Sequence, residues 1–304
     1  MTESNGVAYK AGRFLPVEDA TIGILDPAFT KADVVFDVVS IWDGTFFRLD
    51  DHLDRFYSSC ETTRLTLPLS DSEIRNVLAE CVSRAGFSRA MAWMLCTRGP
   101  FKGGSAFGHP KDCVNQFIAY SIPYYWVIPE ERLDSGAHIW IAETRRAPDV
   151  AINQQVKNYN RMDITAAQFE AMDAGADAPV LLSTDGFLTE GPGFNVWIIN
   201  NKVASTPGTN LLEGVTRKTV FELCQESGIE AKAENLTADD LENAEEAFLS
   251  TTGGGVIPVT MVNNRSIGNG APGITTTNLQ SLYWNKRAAG WNCVPVSDCL
   301  TSLE

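Results

Sequence analysis

Several residue patterns that mark common protein classes are missing from this chain. The three histidines, His52, His109 and His138, are far apart and lack the spacing of metal ligands, so no metal site is expected. The seven cysteines form no CxxC pair, which is typical of free thiols in a reducing cytoplasm rather than of a disulfide framework. The chain also has no GxSxG elbow, no P-loop and no glycine-rich loop with dinucleotide spacing. These absences argue against the commonest hydrolase, nucleotide-binding and metal-binding classes.

Positive charge and long apolar runs are also scarce. The chain has 24 Lys and Arg against 38 Asp and Glu, a formal net charge of -14. A nucleic-acid partner would need a basic face, so no nucleic acid is expected. No apolar run reaches the length of a membrane span, and the N-terminal "MTESNGVAYKAG" lacks the basic-then-apolar pattern of a signal sequence, so no membrane partner is expected either.

Length and local patterns favour two α+β domains. A chain of 304 residues is long enough to bury two cores. Strands and helices are segregated rather than strictly alternating, and both halves contain hairpins, which argues against a doubly wound parallel sheet. The proline-interrupted "IPYYWVIPEERLDSG" is typical of a linker. We therefore expect a small N-terminal α+β domain over 1–122, an interdomain linker over 123–135 and a large C-terminal α+β domain over 136–304.

Individual elements have local signals. "VAYKAGRFL" predicts one hairpin, and Asp43-Gly44 predicts a second inside "VVFDVVSIWDGTFFRL". "SDSEIRNVLAECVSRAG" predicts a helix, because Ser70 and Glu73 have the spacing of a capping box and Gly86 can end it. Further helices are predicted in "NRMDITAAQFEAMDAG", "TRKTVFELCQESG" and "ITTTNLQSLYWNKRAAG".

Four candidate residues have ordinary explanations when each is considered alone. Glu190, in "DGFLTEGPGFNVWIIN", could be a turn residue that faces water. Lys157 could be a solvated surface lysine. Arg55 could pair with Asp51 one helical turn earlier. Thr216 could be the N-cap of its helix.

Considered together, these residues supply the parts of a pyridoxal phosphate site. A helix N-terminus with a hydroxyl, the Thr251-Thr252 loop and an arginine can bind a dianion. A desolvated lysine can form a Schiff base. A buried carboxylate can keep a pyridine nitrogen protonated, so that the ring acts as an electron sink. On this hypothesis Glu190 faces a cation rather than water.

Five motifs occur in the order typical of one enzyme family: "FFRLDDHLDR", "VKNYN", "LTEGPGFNVW", "EGVTRKTV" and "STTGGGVIPV". Through them the chain resembles, nearly end to end, the fold type IV pyridoxal-phosphate aminotransferases, also called class IV. This family includes branched-chain, D-amino-acid and (R)-selective amine transaminases. The resemblance implies a two-domain α+β fold and a homodimer whose partner loop completes the pocket.

The resemblance also implies roles for individual residues. Lys157 is the implied Schiff-base lysine and proton shuttle, and Glu190 the implied partner of the pyridine nitrogen. The implied phosphate ligands are Arg55, Thr216 and Thr252, with the Val215 amide and Thr251 nearby, and Leu212 is expected against the ring.

Within the family, "SIWDGTFFRLDDHLDR", "IPYYWVI" and "TRRAP" are most similar to the (R)-amine transaminases. Several pocket positions depart from that group. Lys31 stands where a His or Arg is usual, and Phe36 stands where a Tyr is usual. Arg161 stands where a Trp is usual. Met91 and Trp93 replace a common aromatic-x-acidic pattern. The arginine of the following loop is missing, and Lys102 is the nearest cation.

These departures predict a pocket with two kinds of surface. Lys31, Lys102 or Arg161 would bind a carboxylate, although Lys31 and Arg161 could equally be solvated or structural. The predicted apolar wall comprises Phe36, Val38, Met91 and Trp93. Such a pocket suits a transaminase that moves an amino group between an (R)-amine or D-amino acid and a 2-oxo acid such as pyruvate. The alternatives are a branched-chain aminotransferase, a lyase of the same fold and a non-catalytic vitamin B6-binding protein.

Overall fold

The computed structural model describes residues 5–301, which form α-helices and β-strands in the α+β arrangement that the sequence predicts. The helices are α1 (Pro27–Thr30), α2 (Leu49–Thr62), α3 (Asp71–Ala85), α4 (Arg132–Ser135), α5 (Met162–Asp173), α6 (Val215–Glu226), α7 (Ala238–Glu242), α8 (Ile274–Ala288) and α9 (Val296–Cys299). The strands are β1 (Val7–Lys10), β2 (Arg13–Pro16), β3 (Val34–Trp42), β4 (Thr45–Phe47), β5 (Arg89–Thr97), β6 (Gln116–Pro123), β7 (Ala137–Arg145), β8 (Ala178–Leu182), β9 (Glu190–Gly191), β10 (Phe194–Asn200), β11 (Val203–Pro207), β12 (Glu230–Glu234), β13 (Glu246–Thr251), β14 (Gly255–Val262), β15 (Arg265–Ser266) and β16 (Cys293–Pro295).

The first of two compact units contains the chain up to Tyr125, the short segment Val156–Asn160 and the chain from Asn292 onward. Its strands form an antiparallel sheet in the order β16-β4-β3-β5-β6-β1-β2. Both predicted hairpins are present, and at the second, Asp43 and Gly44 have φ angles of 48° and 73°. Positive φ at both turn positions gives the turn the twist that neighbouring strands need. Helices α2 and α3 cover one face of the sheet and bury its main apolar core.

The opposite face of this sheet is also apolar, although it is built from fewer side chains. Successive residues of a strand point to opposite sides. Val35 and Val39 of β3 therefore join the core under the helices, while Phe36 and Val38 point to the other side. We call the second cluster the apolar face; its buried members are Val34, Phe36, Val38, Met91, Leu95 and Ile118, with Trp93 and Tyr120 packed against it.

The second unit contains Trp126–Gln155 and Arg161–Trp291. Its sheet has the order β12-β11-β10-β13-β14-β7-β8, with β9 added to β10 and β15 added to β14. This sheet is mixed, because β7 lies parallel to both β14 and β8, and β12 lies parallel to β11. A second apolar core fills the space beside these strands.

The compact units divide the chain differently from the domain boundaries expected from the sequence. The chain passes from the first unit to the second after Tyr125, inside the segment expected to be a linker, and that segment also contains α4. Val156–Asn160 lies within the expected large domain, yet it clusters with the first unit. The C-terminal segment does the same, because β16 pairs with β4. Both assignments depend on pairing between residues that are distant in sequence.

Among residues 5–301, no helix is both long and apolar enough to cross a lipid bilayer.

The capping box predicted for α3 is present and gives a stability test. Ser70 accepts a hydrogen bond from the Glu73 amide, and the Glu73 carboxylate accepts one from the Ser70 amide. Because Ser70→Ala removes a helix cap, we expect the free energy of unfolding to fall by about 1 kcal/mol. Urea unfolding would measure this. Ser83→Ala, an exposed position inside the same helix, is the matched control and should change stability much less; equal losses would contradict the capping role.

Candidate active site

Lys157 lies beside strand β3 in the first unit. The amide of Phe36 donates to the Lys157 carbonyl at 2.9 Å, and the Lys157 amide donates to Ser59 Oγ at 3.3 Å. The amino group lies over the Phe36 ring, with Nζ 4.7 Å from the ring centroid. An ammonium over an aromatic face gains an electrostatic attraction. Lys157 is therefore a half-buried lysine with a defined backbone position, not a fully solvated one.

Arg55 is bound to a carboxylate that the sequence did not single out. Asp37 of β3 is fully buried, and it accepts hydrogen bonds from Arg55 Nε at 2.8 Å and Nη2 at 2.9 Å. His52, one turn earlier on α2, bonds the same carboxylate at 2.8 Å through Nδ1. Asp51, the partner considered for Arg55, forms an ion pair with Arg48 at 2.8 Å. Helix α2 thus places Arg55 through contacts with a neighbouring strand.

The ionisation of this cluster follows from burial and charge. Burial alone would raise the pKa of the Asp37 carboxyl, but the charge of Arg55 and the hydrogen bonds from His52 and Arg55 hold that pKa well below its usual range. Burial also lowers the pKa of His52, in spite of the neighbouring Asp37. Asp37 is therefore a carboxylate at neutral pH, and it orients the Arg55 guanidinium by a two-point ion pair.

Glu190 in the second unit is buried, with 6% of its surface exposed. It starts β9, which pairs with β10 at Asn195. Its Oε1 accepts hydrogen bonds from Arg146 Nη2 at 3.1 Å and Nε at 3.3 Å, and its Oε2 accepts one from the Leu212 amide at 3.1 Å. The explanation of Glu190 as a turn residue facing water is therefore wrong. It is a carboxylate held inside the unit by a cation and a backbone amide.

Arg146 is the residue of this cluster that the sequence reasoning missed. It is buried, and besides Glu190 it contacts Asp163 at 2.6 Å and the side-chain oxygen of Gln154. Its place in "TRRAP", a segment similar to the (R)-amine transaminases, is the sequence feature that marks it.

Thr216 lies in the first turn of α6, but it is not the N-cap. Gly214 occupies that position and Val215 starts the helix. Gly214 has no side chain to cap the first amides, and a Cβ there would lie 2.2 Å from Asn195 Oδ1. Thr216 is buried beside these amides. A helix start of this kind, with a hydroxyl near its amides, is suited to an anion.

The Thr251-Thr252 loop joins β13 to β14. Thr251 is buried; its Oγ1 donates to the Gly193 carbonyl at 2.8 Å and accepts from the Gly253 amide at 3.2 Å. Thr252 is half-buried in the turn that follows. Gly255 has a φ of 70°, and a Cβ there would lie 2.5 Å from the Tyr283 ring. The loop is thus held in a tight backbone conformation.

These residues fit the chemistry of pyridoxal phosphate. The first unit supplies a half-buried amine at Lys157 and a guanidinium at Arg55. The second unit supplies the buried carboxylate of Glu190 and two backbone segments with hydroxyl groups, at the start of α6 and between β13 and β14. An amine, a carboxylate and anion-binding amides are the three groups that this cofactor requires.

The predicted substrate residues fall into two groups. Phe36, Val38 and Met91 are buried members of the apolar face, and Trp93 packs against it. The three predicted cations, Lys31 at the end of α1, Lys102 in a short 3-10 turn and Arg161 before α5, are not in that cluster; Lys31 and Lys102 are exposed and Arg161 is half-exposed. Their roles in substrate binding stay predictions.

Removal of the Arg146 side chain should destabilise the fold strongly. Arg146→Ala leaves Glu190 and Asp163 without their shared cation, and an uncompensated buried charge costs about 3–5 kcal/mol. Urea unfolding of the purified variant would measure the loss. Arg132→Ala is the matched control, because its pair with Asp177 is partly exposed and should contribute about 1 kcal/mol or less. Equal losses in the free energy of unfolding would show that the buried ion pairs of Arg146 stabilise the fold no more than the partly exposed pair of Arg132.

Comparisons with known proteins identify the family of the chain. The family model described as amino-transferase class IV matches residues 34–262. The D-alanine aminotransferase of Bacillus licheniformis is 31% identical over 276 residues, which are 90% of this chain and 94% of that protein. The branched-chain-amino-acid aminotransferase of Pseudomonas aeruginosa is 29% identical over 294 residues, with 94% of each chain covered. The solved structure of the T.th. branched-chain amino acid aminotransferase with pyridoxamine 5'-phosphate has a TM-score of 0.88 at 26% identity, over 96% of this chain and 99% of that one. The chain belongs to the class IV aminotransferases, enzymes of fold type IV that use pyridoxal phosphate.

Proposed function

We propose that this aminotransferase moves an amino group between an (R)-amine or D-amino acid and a 2-oxo acid such as pyruvate. The observation that supports this substrate class most directly is the position of Lys157, whose amino group lies over Phe36 on the apolar face. A donor that presents its reacting carbon to this lysine would place its larger substituent against apolar and aromatic side chains.

The proposal assigns the proton transfer to Lys157. Bound pyridoxal phosphate withdraws electrons from the carbon that carries the amino group, which makes the proton on that carbon acidic. Lys157 would take up this proton at Nζ and give it back later in the transfer.

Glu190 is assigned to the pyridine nitrogen of the cofactor. A carboxylate there keeps the nitrogen protonated, so that the ring can accept the electrons released at the reacting carbon. Arg146 and the Leu212 amide hold the two oxygens of Glu190 in place. The orientation of the carboxylate is thus set before any cofactor is bound, which reduces the cost of reorganisation.

The phosphate is assigned to groups that do not take part in the chemistry. These are Arg55, Thr216 and Thr252, with the Val215 amide and Thr251 nearby. Asp37 fixes the Arg55 guanidinium, and the uncapped start of α6 supplies amides. Several fixed ligands for one dianion would prevent the ring from turning over, so Lys157 would act on one side of it only.

A branched-chain L-amino-acid aminotransferase is the second candidate. It is favoured by the likeness to the Pseudomonas aeruginosa and T.th. enzymes, both named branched-chain aminotransferases. An apolar face would accept a branched aliphatic side chain as readily as an aryl group. The two candidates differ in the configuration of the donor, which an experiment can measure.

The proposal includes a homodimer. Ile24, Phe29 and Phe107 of the first unit are 75%, 72% and 89% exposed. Such side chains would suit a surface that a second protein covers if they form one contiguous apolar patch. Sedimentation analysis of the purified protein would give the mass of the assembly.

Glu190→Gln should leave the cofactor bound and slow the proton-transfer steps by about a hundredfold or more, because a neutral amide does not stabilise a protonated ring nitrogen. Stopped-flow absorbance of the half-reaction, together with the cofactor content of the purified variant, would separate rate from binding. Unchanged rates in a fully loaded variant would remove Glu190 from the proposed chemistry.

Racemic 1-phenylethylamine with pyruvate tests the proposed donor. If the aryl group must lie on the apolar face and the methyl group elsewhere, only the (R)-amine presents its proton to Lys157. A mismatch of about 3 kcal/mol between the enantiomers gives over a hundredfold discrimination. Chiral chromatography should therefore find the (S)-amine left over, and Lys157→Ala is the control without the proposed lysine. Leftover (R)-amine, or no consumption together with rapid turnover of L-leucine, would favour the branched-chain candidate.

A further inference from the structure

A cavity of about 690 Å³ lies in the first unit, between the end of helix α2 and the loop that joins β5 to β6. None of its lining residues is assigned above to the cofactor or to the substrate. No aspartate or glutamate is among the described residues that line it. Four lining residues have basic side chains: Arg64, Arg98, His109 and Lys111. We call it the basic cavity. In a chain with a formal net charge of -14, such a concentration of positive groups would attract an anion.

Arg98 is the buried basic residue of this cavity. Asp33 accepts hydrogen bonds from its Nε at 2.9 Å and from its Nη2 at 3.0 Å. The carbonyls of Thr63 and Arg64 accept from Nη2 at 2.8 Å and from Nη1 at 2.9 Å. A guanidinium has five N–H donors, so one N–H of Nη1 is left without an acceptor among residues 5–301. Because the other four bonds fix the guanidinium plane, this donor is ordered before a ligand binds.

Asn115 joins the two segments that enclose the basic cavity. Its Oδ1 accepts a hydrogen bond from the Thr66 amide at 2.7 Å, and its Nδ2 donates to the Arg98 carbonyl at 2.9 Å. A bridge between Phe101 and Cys113 closes the loop on itself. The cavity is therefore formed by the fold, and a ligand would not have to order these segments.

The other three basic residues are exposed. Neither the Arg64 guanidinium nor the Lys111 ammonium has a hydrogen bond or ion pair with another residue of the described range 5–301. His109 Nδ1 accepts a hydrogen bond from the Lys111 amide at 3.2 Å. A neutral histidine whose Nδ1 accepts has its proton on Nε2, so His109 can still donate to an anion.

The backbone of Arg64 is in a conformation that favours glycine. Thr63 ends helix α2, and Arg64 follows it with a φ of 55°. Glycine is the usual residue at such a helix end, because a Cβ is sterically unfavourable in the left-handed region. Glycine would also supply the backbone carbonyl that binds Arg98. A role for the guanidinium group would explain why an arginine occupies this position.

The size and charge of the basic cavity indicate the class of ligand. Sites for small molecules have volumes of about 300–1,000 Å³, so the cavity holds more than a single phosphate ion. Several basic groups suit an anion with several negative charges. The oxygens of a diphosphate point in many directions and can accept from donors on different walls, whereas one carboxylate presents two oxygens in one plane.

We propose that the basic cavity binds a small molecule with a diphosphate group, either inorganic pyrophosphate or a nucleoside diphosphate. This second ligand site goes beyond the proposed transamination and does not depend on which amine is the donor. Its ligand is bound by Arg98 and Arg64, together with His109 and Lys111.

Calorimetric titration of the holoenzyme tests the ligand class, with the cofactor's own phosphate site already filled. In a buffer without divalent cations, pyrophosphate should bind at a single site per chain and about tenfold more tightly than orthophosphate. ADP that binds more tightly than pyrophosphate would identify a nucleoside diphosphate as the ligand, and equal affinities would identify the diphosphate group as sufficient. Adenosine should not bind. Absence of saturable pyrophosphate binding, or citrate binding as tight as that of pyrophosphate, would overturn the proposal.

Arg64→Gly tests the location of the site without a loss of stability. The variant should weaken pyrophosphate binding about tenfold, since a charged hydrogen-bond donor is lost. Its Tm should be equal to or above that of the parent, because glycine favours the left-handed backbone. Lys202→Gly is the matched control: Lys202 is an exposed cation of the second unit with a φ of 65°, and its loss should change the affinity by less than about twofold. Lys111→Ala, at an exposed turn, should also weaken binding.

Hydrogen–deuterium exchange of the same holoenzyme gives an independent location. Pyrophosphate should slow amide exchange in peptides that cover 63–68 and 109–115, and leave exchange at the start of α6 unchanged. Equal losses of affinity in Arg64→Gly and Lys202→Gly, or protection confined to peptides at the start of α6 and in the Thr251-Thr252 loop, would overturn the assignment of the ligand to the basic cavity.

Discussion

The buried ion pair between Asp37 and Arg55 is the contact on which the first unit's functional residues depend. A carboxylate without exposure to water is costly unless it is paired, so Asp37 binds helix α2 to strand β3 through both Arg55 and His52. Since neighbouring residues of a strand point to opposite sides, the same anchoring directs Phe36 to the other face of the sheet. The Phe36 amide then holds Lys157 in place. The side chain of one strand residue thus positions the Arg55 guanidinium, and the backbone of its neighbour positions Lys157.

The second unit also pairs a buried carboxylate with an arginine. Glu190 is buried and would be unstable alone, and Arg146 together with the Leu212 amide satisfies both of its oxygens. Arg146 in turn depends on Asp163. A carboxylate held by fixed partners on one side can face a cationic ring nitrogen on its other side without moving. If Glu190 has the proposed role, the same contacts serve both stability and catalysis, and changes in the cluster should affect both.

The residues assigned to the cofactor and those that would contact the substrate differ in where they lie. Apart from Arg55, which lies in the middle of α2, the residues assigned to the cofactor lie at a helix start, in loops or at strand ends, where backbone amides are available. The proposed substrate surface is a strand face built from single side chains of β3, β5 and β6. Side chains on such a face can change without altering the turns. The chain is similar both to D-alanine and to branched-chain aminotransferases.

Local physical chemistry in the sequence determined the two hairpin turns, the helices α3, α5, α6 and α8, and the family motifs. The Asp43-Gly44 turn and the Ser70–Glu73 capping box depend only on residues within a few positions of each other. Other elements could not be predicted in this way. Strand β12, "EAKAE", has residues that favour a helix, and it becomes an edge strand because β11 offers a parallel partner. The tertiary structure alone decided the partners of the buried groups. Asp37 with Arg55 and Glu190 with Arg146 are 18 and 44 positions apart in the chain, and a pairing over such distances is set by which strands become neighbours.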